Sequence, residues 1–69
     1  MTYLDLMYEC TIAKALVDNS INFGENPRRE IKALDKLVRT AEKKAKAESS
    51  YILVVNKYRP ILEDYKTKY

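Results

Sequence analysis

Six cationic residues in the middle of the chain could bind phosphate groups. Their positions alternate in steps of three and four: Arg29, Lys32, Lys36, Arg39, Lys43 and Lys46. In an α-helix this spacing puts all six on one face. Lysine and arginine are also the side chains that neutralise nucleic-acid backbones. The spacing therefore predicts a basic stripe on one helix that could hold a nucleic acid or a nucleotide.

Acidic residues on the same helix weaken this interpretation. Asp35 precedes Arg39 by four residues, and Glu42 precedes Lys46 by four, which is the orientation that stabilises a solvated helix surface. Residues 25–50 carry eight basic and five acidic side chains, a modest excess for a nucleic-acid binder. Phosphate binding is therefore the alternative hypothesis for this chain.

Tyrosine is unusually frequent, with six tyrosines, one phenylalanine and no tryptophan. Tyr51, Tyr58 and Tyr65 are seven residues apart, so they share a face of a helix. Their rings could stack on nucleic-acid bases beside the neighbouring lysines. A tyrosine stripe is more typical of a protein core or a subunit interface, where the ring is buried and the hydroxyl reaches water.

Few residues could support catalysis. The chain has no histidine, and its one cysteine, Cys10, lies on an apolar helix stripe where we expect inert packing. Two carboxylate pairs, Asp5 with Glu9 and Glu63 with Asp64, are expected to be surface charge, because a thin bundle offers no cleft to shift their pKa values. We therefore predict no enzymatic activity, no catalytic residue, no metal site and no cofactor.

The elements that carry these residues are predicted to be helices. One glycine and two prolines in 69 residues leave few places for hairpin turns. Apolar residues at steps of three and four predict helices at about 2–19, 27–47 and 50–67, the last kinked or divided at Pro60. The expected fold is a small all-α three-helix bundle forming a single domain, 1–69.

The junction between the second and third helices leaves an alternative open. No glycine lies between residues 47 and 51, so the two helices could form one rod within a long helical hairpin. At about 100° per residue, however, the apolar stripe around Val38 lies nearly opposite the stripe around Tyr58. This difference predicts a break at Ser49 or Ser50, with serine as the N-cap.

Each helix has an apolar stripe, and the first helix has two. The predicted core stripes consist of Tyr3, Leu6, Cys10, Ala13 and Val17; of Ile31, Leu34, Val38, Ala41 and Ala45; and of Tyr51, Val55, Tyr58, Leu62, Tyr65 and Tyr69. The second stripe of the first helix consists of Leu4, Tyr8, Ile12, Ala15 and Leu16. More apolar surface is present than three short helices can easily cover. We therefore predict a partner or dimer interface that comprises Tyr8, Ile12, Leu16, Tyr51, Tyr58, Leu62 and Tyr65.

The leading functional hypothesis follows from this surplus. A chain of this size has a marginal core, and a lone cysteine without histidine excludes an internal disulfide or a Cys/His zinc site. We expect a non-enzymatic, homodimeric adaptor or inhibitor, of the kind that viruses and mobile elements encode, which occludes a protein partner. The free thiol suits the cytoplasm, and no apolar run reaches the roughly 20 residues needed to cross a membrane.

Overall fold

Three α-helices make up most of the chain. The structure is a computed structural model that describes residues 2–69, so Met1 of the predicted domain lies outside the described residues. The helices are α1 (Tyr3–Asn22), α2 (Arg28–Ala45) and α3 (Ile52–Lys68), and a 3-10 turn, Ser49–Tyr51, leads into α3. The predicted all-α three-helix bundle is confirmed. Because α2 and α3 are separate helices, the alternative of one continuous rod is wrong.

The N-terminus of α1 is fixed by a capping box. The Thr2 hydroxyl accepts a hydrogen bond from the Asp5 backbone N–H at 3.3 Å, and the Asp5 carboxylate accepts one from the Thr2 backbone N–H at 3.0 Å. These two bonds satisfy backbone donors that have no partner within the helix. The backbone hydrogen bond from Thr2 is also the main reason that the pKa of the Asp5 carboxyl is lowered.

The C-terminus of α1 lies three residues beyond the predicted end at residue 19. The Glu25 N–H donates to the Ser20 carbonyl at 2.9 Å and the Gly24 N–H donates to the Ile21 carbonyl at 3.0 Å, which is the Schellman pattern. Gly24 has a φ of 74°, a left-handed conformation that this motif requires and glycine adopts without strain. The helix therefore continues through Asn19 until a residue suited to the C′ position is reached.

The start of α2 is close to the predicted boundary. The Asn26 side-chain oxygen accepts a hydrogen bond from the Arg28 N–H at 3.1 Å, and the Pro27 carbonyl accepts the first helical bond, from the Ile31 N–H, at 2.8 Å. Asn26 thus satisfies a free donor of the first turn. Helix α2 begins at Arg28, one residue after the predicted start at Pro27.

The break between α2 and α3 lies at Glu48, directly before the predicted Ser49 or Ser50. Glu48 has an extended backbone, with φ −138° and ψ 110°, and the 3-10 turn follows directly. No serine side chain caps either helical segment, so the predicted serine N-cap is wrong. The extended residue redirects the chain without a side-chain cap.

Helix α3 runs without a division through Pro60. Proline cannot donate to the carbonyl of the residue four positions earlier, Asn56. Both Pro60 and Asn56 are exposed, so water can satisfy that carbonyl. The position of Pro60 on the solvent side explains why the helix is not divided there.

The core lies between the three helices, which run up, down and up. Its fully or nearly buried apolar residues are Leu6, Cys10, Ala13, Val17, Ile31, Leu34, Val38, Ala41, Tyr51, Val54, Tyr58, Leu62 and Tyr65. In α1 and α2 these match the predicted stripes closely. In α3 the structure buries Val54 where the spacing predicts Val55, and it leaves Tyr69 44% exposed.

Candidate interaction surfaces

The exposed side of α1 carries a row of apolar side chains. Its members are spaced by four residues: Leu4, Tyr8, Ile12 and Leu16, here called the α1 stripe. Tyr8 is 68% exposed and Ile12 is 44% exposed, so the tyrosine ring and the isoleucine side chain both face water. Each step of four advances about 6 Å along the helix. The α1 stripe is therefore a narrow apolar strip about 18 Å long.

Carboxylates lie beside this stripe. Asp5, Tyr8, Glu9 and Ile12 together line a shallow depression on the outer side of α1. The whole of α1 contains three acidic residues and one basic residue, Lys14. The α1 stripe is thus an apolar strip with an acidic edge.

The other four residues of the predicted interface lie in the core. Tyr51, Tyr58, Leu62 and Tyr65 are each less than a tenth exposed and pack within the chain itself. The interface prediction is therefore corrected: only Tyr8, Ile12 and Leu16 remain available to a partner. The tyrosines belong to the core and not to an interface. Spacing alone does not show which apolar face the other helices cover.

Two of these tyrosines fix α1 against α3 through their hydroxyls. The Tyr58 and Thr11 hydroxyl oxygens are 2.5 Å apart, and Thr11 donates its own proton to the Met7 carbonyl at 3.0 Å. Tyr58 is therefore the donor to Thr11. One heptad further along both helices, the Tyr65 hydroxyl donates to the Asp18 carboxylate.

The Tyr65–Asp18 bond belongs to a small charged network. Lys14 donates to the other Asp18 oxygen at 2.7 Å. Burial, and then the hydrogen bond to Asp18, raises the pKa of Tyr65 to about 12. The hydrogen bonds from Lys14 and Tyr65 lower the pKa of the Asp18 carboxyl, and the bond to Asp18 raises the pKa of Lys14. The network is structural, since each of its charges is already paired.

The basic stripe lies on the outside of α2. All six predicted phosphate contacts are exposed: Arg29, Lys32, Lys36, Arg39, Lys43 and Lys46. Shallow depressions of about 480 Å³ and 260 Å³ follow its middle and C-terminal parts. Five of the six lie on α2 as predicted, and Lys46 directly follows its last residue, Ala45. Phosphate binding itself stays a prediction.

Two acidic residues where α2 packs on α3 form ion pairs with nearby cations. Asp35 pairs with Arg39 and with Lys66 of α3, both at 3.0 Å. Burial opposes ionisation of Asp35, but the hydrogen bond and charge of Lys66 outweigh it, so the pKa of the carboxyl is lowered. Glu42 likewise pairs with Arg59 of α3 at 2.7 Å. These pairs set α3 antiparallel to α2 and leave most of the stripe cations unpaired.

Sequence reasoning missed a depression of about 630 Å³ that residues of two helices form together. It lies between the first turns of α2 and the end of α3, with Arg28, Lys66 and Tyr69 in its lining. Lys66 and Tyr69 are three residues apart and so share a helix face, which was a usable signal. Their proximity to Arg28 depends on tertiary packing, which no local pattern contains.

The remaining candidate groups are the Cys10 thiol and the carboxylates. Cys10 is fully buried, and burial, together with the charge of Glu9, raises the pKa of its thiol to about 11. Within residues 2–69, no three Cys, Asp or Glu side chains come together where they could hold a metal ion. The same residues include no helix with both the length and the apolar character of a membrane-crossing segment.

Comparison with known proteins gives no significant match, whether by family model, by sequence or by structure. The roles of the two surfaces must therefore be inferred from their own chemistry.

Proposed function

We propose that this chain is a small helical interaction protein, of the adaptor or inhibitor type, which lays α1 against a macromolecular partner and occludes that partner's surface. The observation that supports this proposal is the α1 stripe, four large apolar side chains left in water along one helix. Burying apolar surface contributes about 25 cal/mol per Å². A partner that covers this strip would therefore gain binding free energy at no cost to the core.

The spacing of the stripe suggests how the partner is engaged. Anchors at every fourth position are the pattern of an amphipathic helix that lies in an apolar groove. A stable flat interface takes about 800 Å² and 20–30 residues from each side, more than one narrow strip supplies. A partner groove that encloses α1 is thus the favoured arrangement, and pairing of two α1 helices is the homodimeric form of the same proposal. The free thiol of Cys10 is consistent with a cytoplasmic setting.

The experiment compares two matched variants of the full chain as baits in extracts of the native cell. Tyr8→Glu with Ile12→Glu places charges on the α1 stripe. Ile52→Glu with Leu53→Glu is the control, because it also adds two charges, and these residues are 45% and 52% exposed but lie on α3. We expect the stripe variant to lose a partner that the wild type and the control variant both retain.

Sedimentation of the same three proteins at micromolar concentration tests the homodimeric form. Self-association that only the stripe variant abolishes would support α1 pairing. Capture that is unchanged by the stripe variant, together with a monomeric wild type, would contradict the proposal.

A second candidate function is nucleic-acid binding through the basic stripe. The observation in its favour is that α2 carries seven basic and three acidic residues, while α1 carries one basic and three acidic residues. The positive charge is thus concentrated on one side. If six phosphates are contacted, raising the salt concentration from 50 to 200 mM should lower the affinity about a thousandfold or more. Charge reversal at Lys36 and Arg39 that left binding unchanged would exclude this function.

A further inference from the structure

The depression between α2 and α3 has the dimensions of a small-molecule site. Its volume is about 630 Å³, within the roughly 300–1,000 Å³ typical of ligand pockets. Its lining consists of Arg28, Arg29, Ile31, Lys32, Asp35, Lys66 and Tyr69, here called the α2–α3 cleft. Its lining combines several cations with an aromatic ring, unlike the depression beside the α1 stripe and the two along the rest of the basic stripe.

The charge of the cleft is strongly positive. Four cationic side chains line it with a single acidic side chain, Asp35, which already pairs with Lys66 at 3.0 Å and with Arg39 outside the cleft. Among the described residues, Arg28, Arg29 and Lys32 have no ion-pair partner. The cleft therefore keeps three uncompensated cations, even though the whole chain has a net charge of only +3.

The geometry of the guanidinium groups selects a class of anion. Arginine presents a planar set of donors that matches the oxygens of a phosphate group, and lysine adds a compact positive charge. The first turn of α2 also directs the positive end of its helix dipole toward this region. Two adjacent arginines with a lysine one turn further on could therefore contact successive phosphates of one ligand.

The aromatic ring adds a second recognition element. Tyr69 is 44% exposed at the end of α3, and its ring shares the cleft with the buried side chain of Ile31. An exposed tyrosine face beside cations is a surface on which a flat heterocycle can stack. No aromatic side chain lines the two depressions along the rest of the basic stripe, so stacking and phosphate binding coincide only here.

We propose that the α2–α3 cleft binds a mononucleotide that carries several phosphates. Arg28, Arg29 and Lys32 contact the phosphates, and the base stacks on Tyr69. Asp35 positions Lys66 at the rim through their ion pair. The site uses only two of the six stripe cations and none of the α1 stripe, so it does not depend on the proposed docking function.

Titration of the full, isotope-labelled chain with ATP, inorganic tripolyphosphate and adenosine tests this site by NMR. We expect ATP to shift the amide signals of residues 28–32 and 66–69. Tripolyphosphate should bind about tenfold more weakly than ATP, because it lacks the base, and adenosine should bind more weakly still. Tyr69→Leu should reduce ATP affinity to that of tripolyphosphate and leave tripolyphosphate binding unchanged.

A matched pair of double variants separates a defined site from general charge attraction. The double variants are Arg29→Ala with Lys32→Ala, and Lys43→Ala with Lys46→Ala. Each removes two cations from exposed positions, the first pair in α2 and the second at its C-terminal end. We expect the first pair to lower ATP affinity about a hundredfold, at about tenfold per charged contact, and the second pair to change it less than about twofold.

Several results would overturn the site. Equal losses in the two double variants would mean that ATP is attracted only by overall charge. Absence of ATP binding at millimolar concentration and low salt would exclude the cleft as a nucleotide site. Binding of oligonucleotides that depends on Lys43 and Lys46, without ATP binding, would assign the positive charge to nucleic acid instead. None of these results bears on capture through the α1 stripe, which is tested with different variants.

Discussion

The hydroxyl of Tyr58 in α3 donates a hydrogen bond to the hydroxyl of Thr11 in α1, and the two oxygens are 2.5 Å apart. One heptad further along both helices, Tyr65 donates to Asp18. These two bonds join the first and last helices, which have few other mutual contacts compared with their packing on α2. The parallel alignment of α1 and α3 therefore depends strongly on two phenol groups.

Removing these hydroxyl groups should destabilise the fold unequally. Tyr58→Phe loses a neutral hydrogen bond and should lower the free energy of unfolding by about 1 kcal/mol. Tyr65→Phe loses a bond to a carboxylate and should cost about 1 to 2 kcal/mol, less than in a fully buried site because Asp18 is partly exposed. Urea denaturation measures both. Tyr8→Phe is the control, since Tyr8 lies in water, and an equal loss there would contradict the role of the buried hydroxyls.

Alkaline pH should weaken the hydrogen bond from Tyr65 to Asp18. The pKa of Tyr65 is about 12 in the folded chain and 10.0 for an ordinary tyrosine, so the unfolded chain releases this proton first as pH rises. The stabilisation is complete below pH 10 and is lost progressively up to about pH 12. We expect the free energy of unfolding of the wild type to fall more steeply over this range than that of Tyr65→Phe. Parallel pH profiles for the two proteins would contradict the assignment.

Acid pH should also weaken this network, because it protonates Asp18. Hydrogen bonds from Lys14 and Tyr65 lower the pKa of Asp18 below its ordinary 3.8. The folded chain therefore holds this proton less tightly, and the stabilisation present above pH 3.8 is lost as pH falls through the lowered value. Asp18→Asn should flatten the acid limb of the stability profile. Asp64→Asn is the control, because Asp64 pairs only at the surface, and an identical flattening there would argue against a special role for Asp18.

The core register of α3 can be tested with two adjacent valines. Val54 is fully buried, whereas Val55 is only partly buried against the core. Val54→Ala should cost about 2 kcal/mol through lost burial and the cavity left behind. Val55→Ala should cost less than about 1 kcal/mol, and the gain in helix propensity is the same for both. Thermal or urea unfolding measures the difference, and a larger loss at Val55 would favour the register predicted from spacing.

These valines also show where sequence periodicity fails. In α1 and α2, polar residues limit each apolar run to three residues or fewer, so the stripes that contain Leu6, Val17 and Val38 can be identified from spacing. Residues 51–55 are all apolar, so spacing cannot distinguish Val54 from Val55. The choice depends on where α1 and α2 lie relative to α3, which is non-local information.

The same distinction applies to the functional surfaces. The basic stripe and the α1 stripe each lie on one helix, so their exposure could be predicted from the sequence. The roles of Tyr58 and Tyr65 could not, because an apolar helix face is equally suited to a core and to an interface until the third helix is placed. The α2–α3 cleft joins residues of two helices about 40 positions apart, which no short-range pattern reveals.

A buried hydroxyl on α1 offers a route to a more stable chain. Ser20 is 7% exposed, and its hydroxyl has no hydrogen-bond partner among the described residues. An unsatisfied buried hydroxyl destabilises a fold, and alanine is also the better helix former. We expect Ser20→Ala to raise the free energy of unfolding by about 1 kcal/mol. Thr67→Ala is the control, because it gains the same helix propensity but the Thr67 hydroxyl already donates to the Glu63 carbonyl at 2.9 Å. It should therefore stabilise the chain less than Ser20→Ala does, and a loss of stability in Ser20→Ala would indicate that the hydroxyl has a partner in solution.

The thiol of Cys10 should be unreactive while the chain is folded. It is fully buried, and its pKa is raised to about 11, so at neutral pH both access and thiolate fraction are low. A disulfide reagent should therefore label the native protein only as fast as the bundle opens, and label it at once in denaturant. Val54→Ala should speed native labelling about tenfold for each 1.4 kcal/mol of stability that it loses, since opening exposes the thiol. Labelling of the native wild type at the rate seen in denaturant would mean that the helix interface around Cys10 is open in solution.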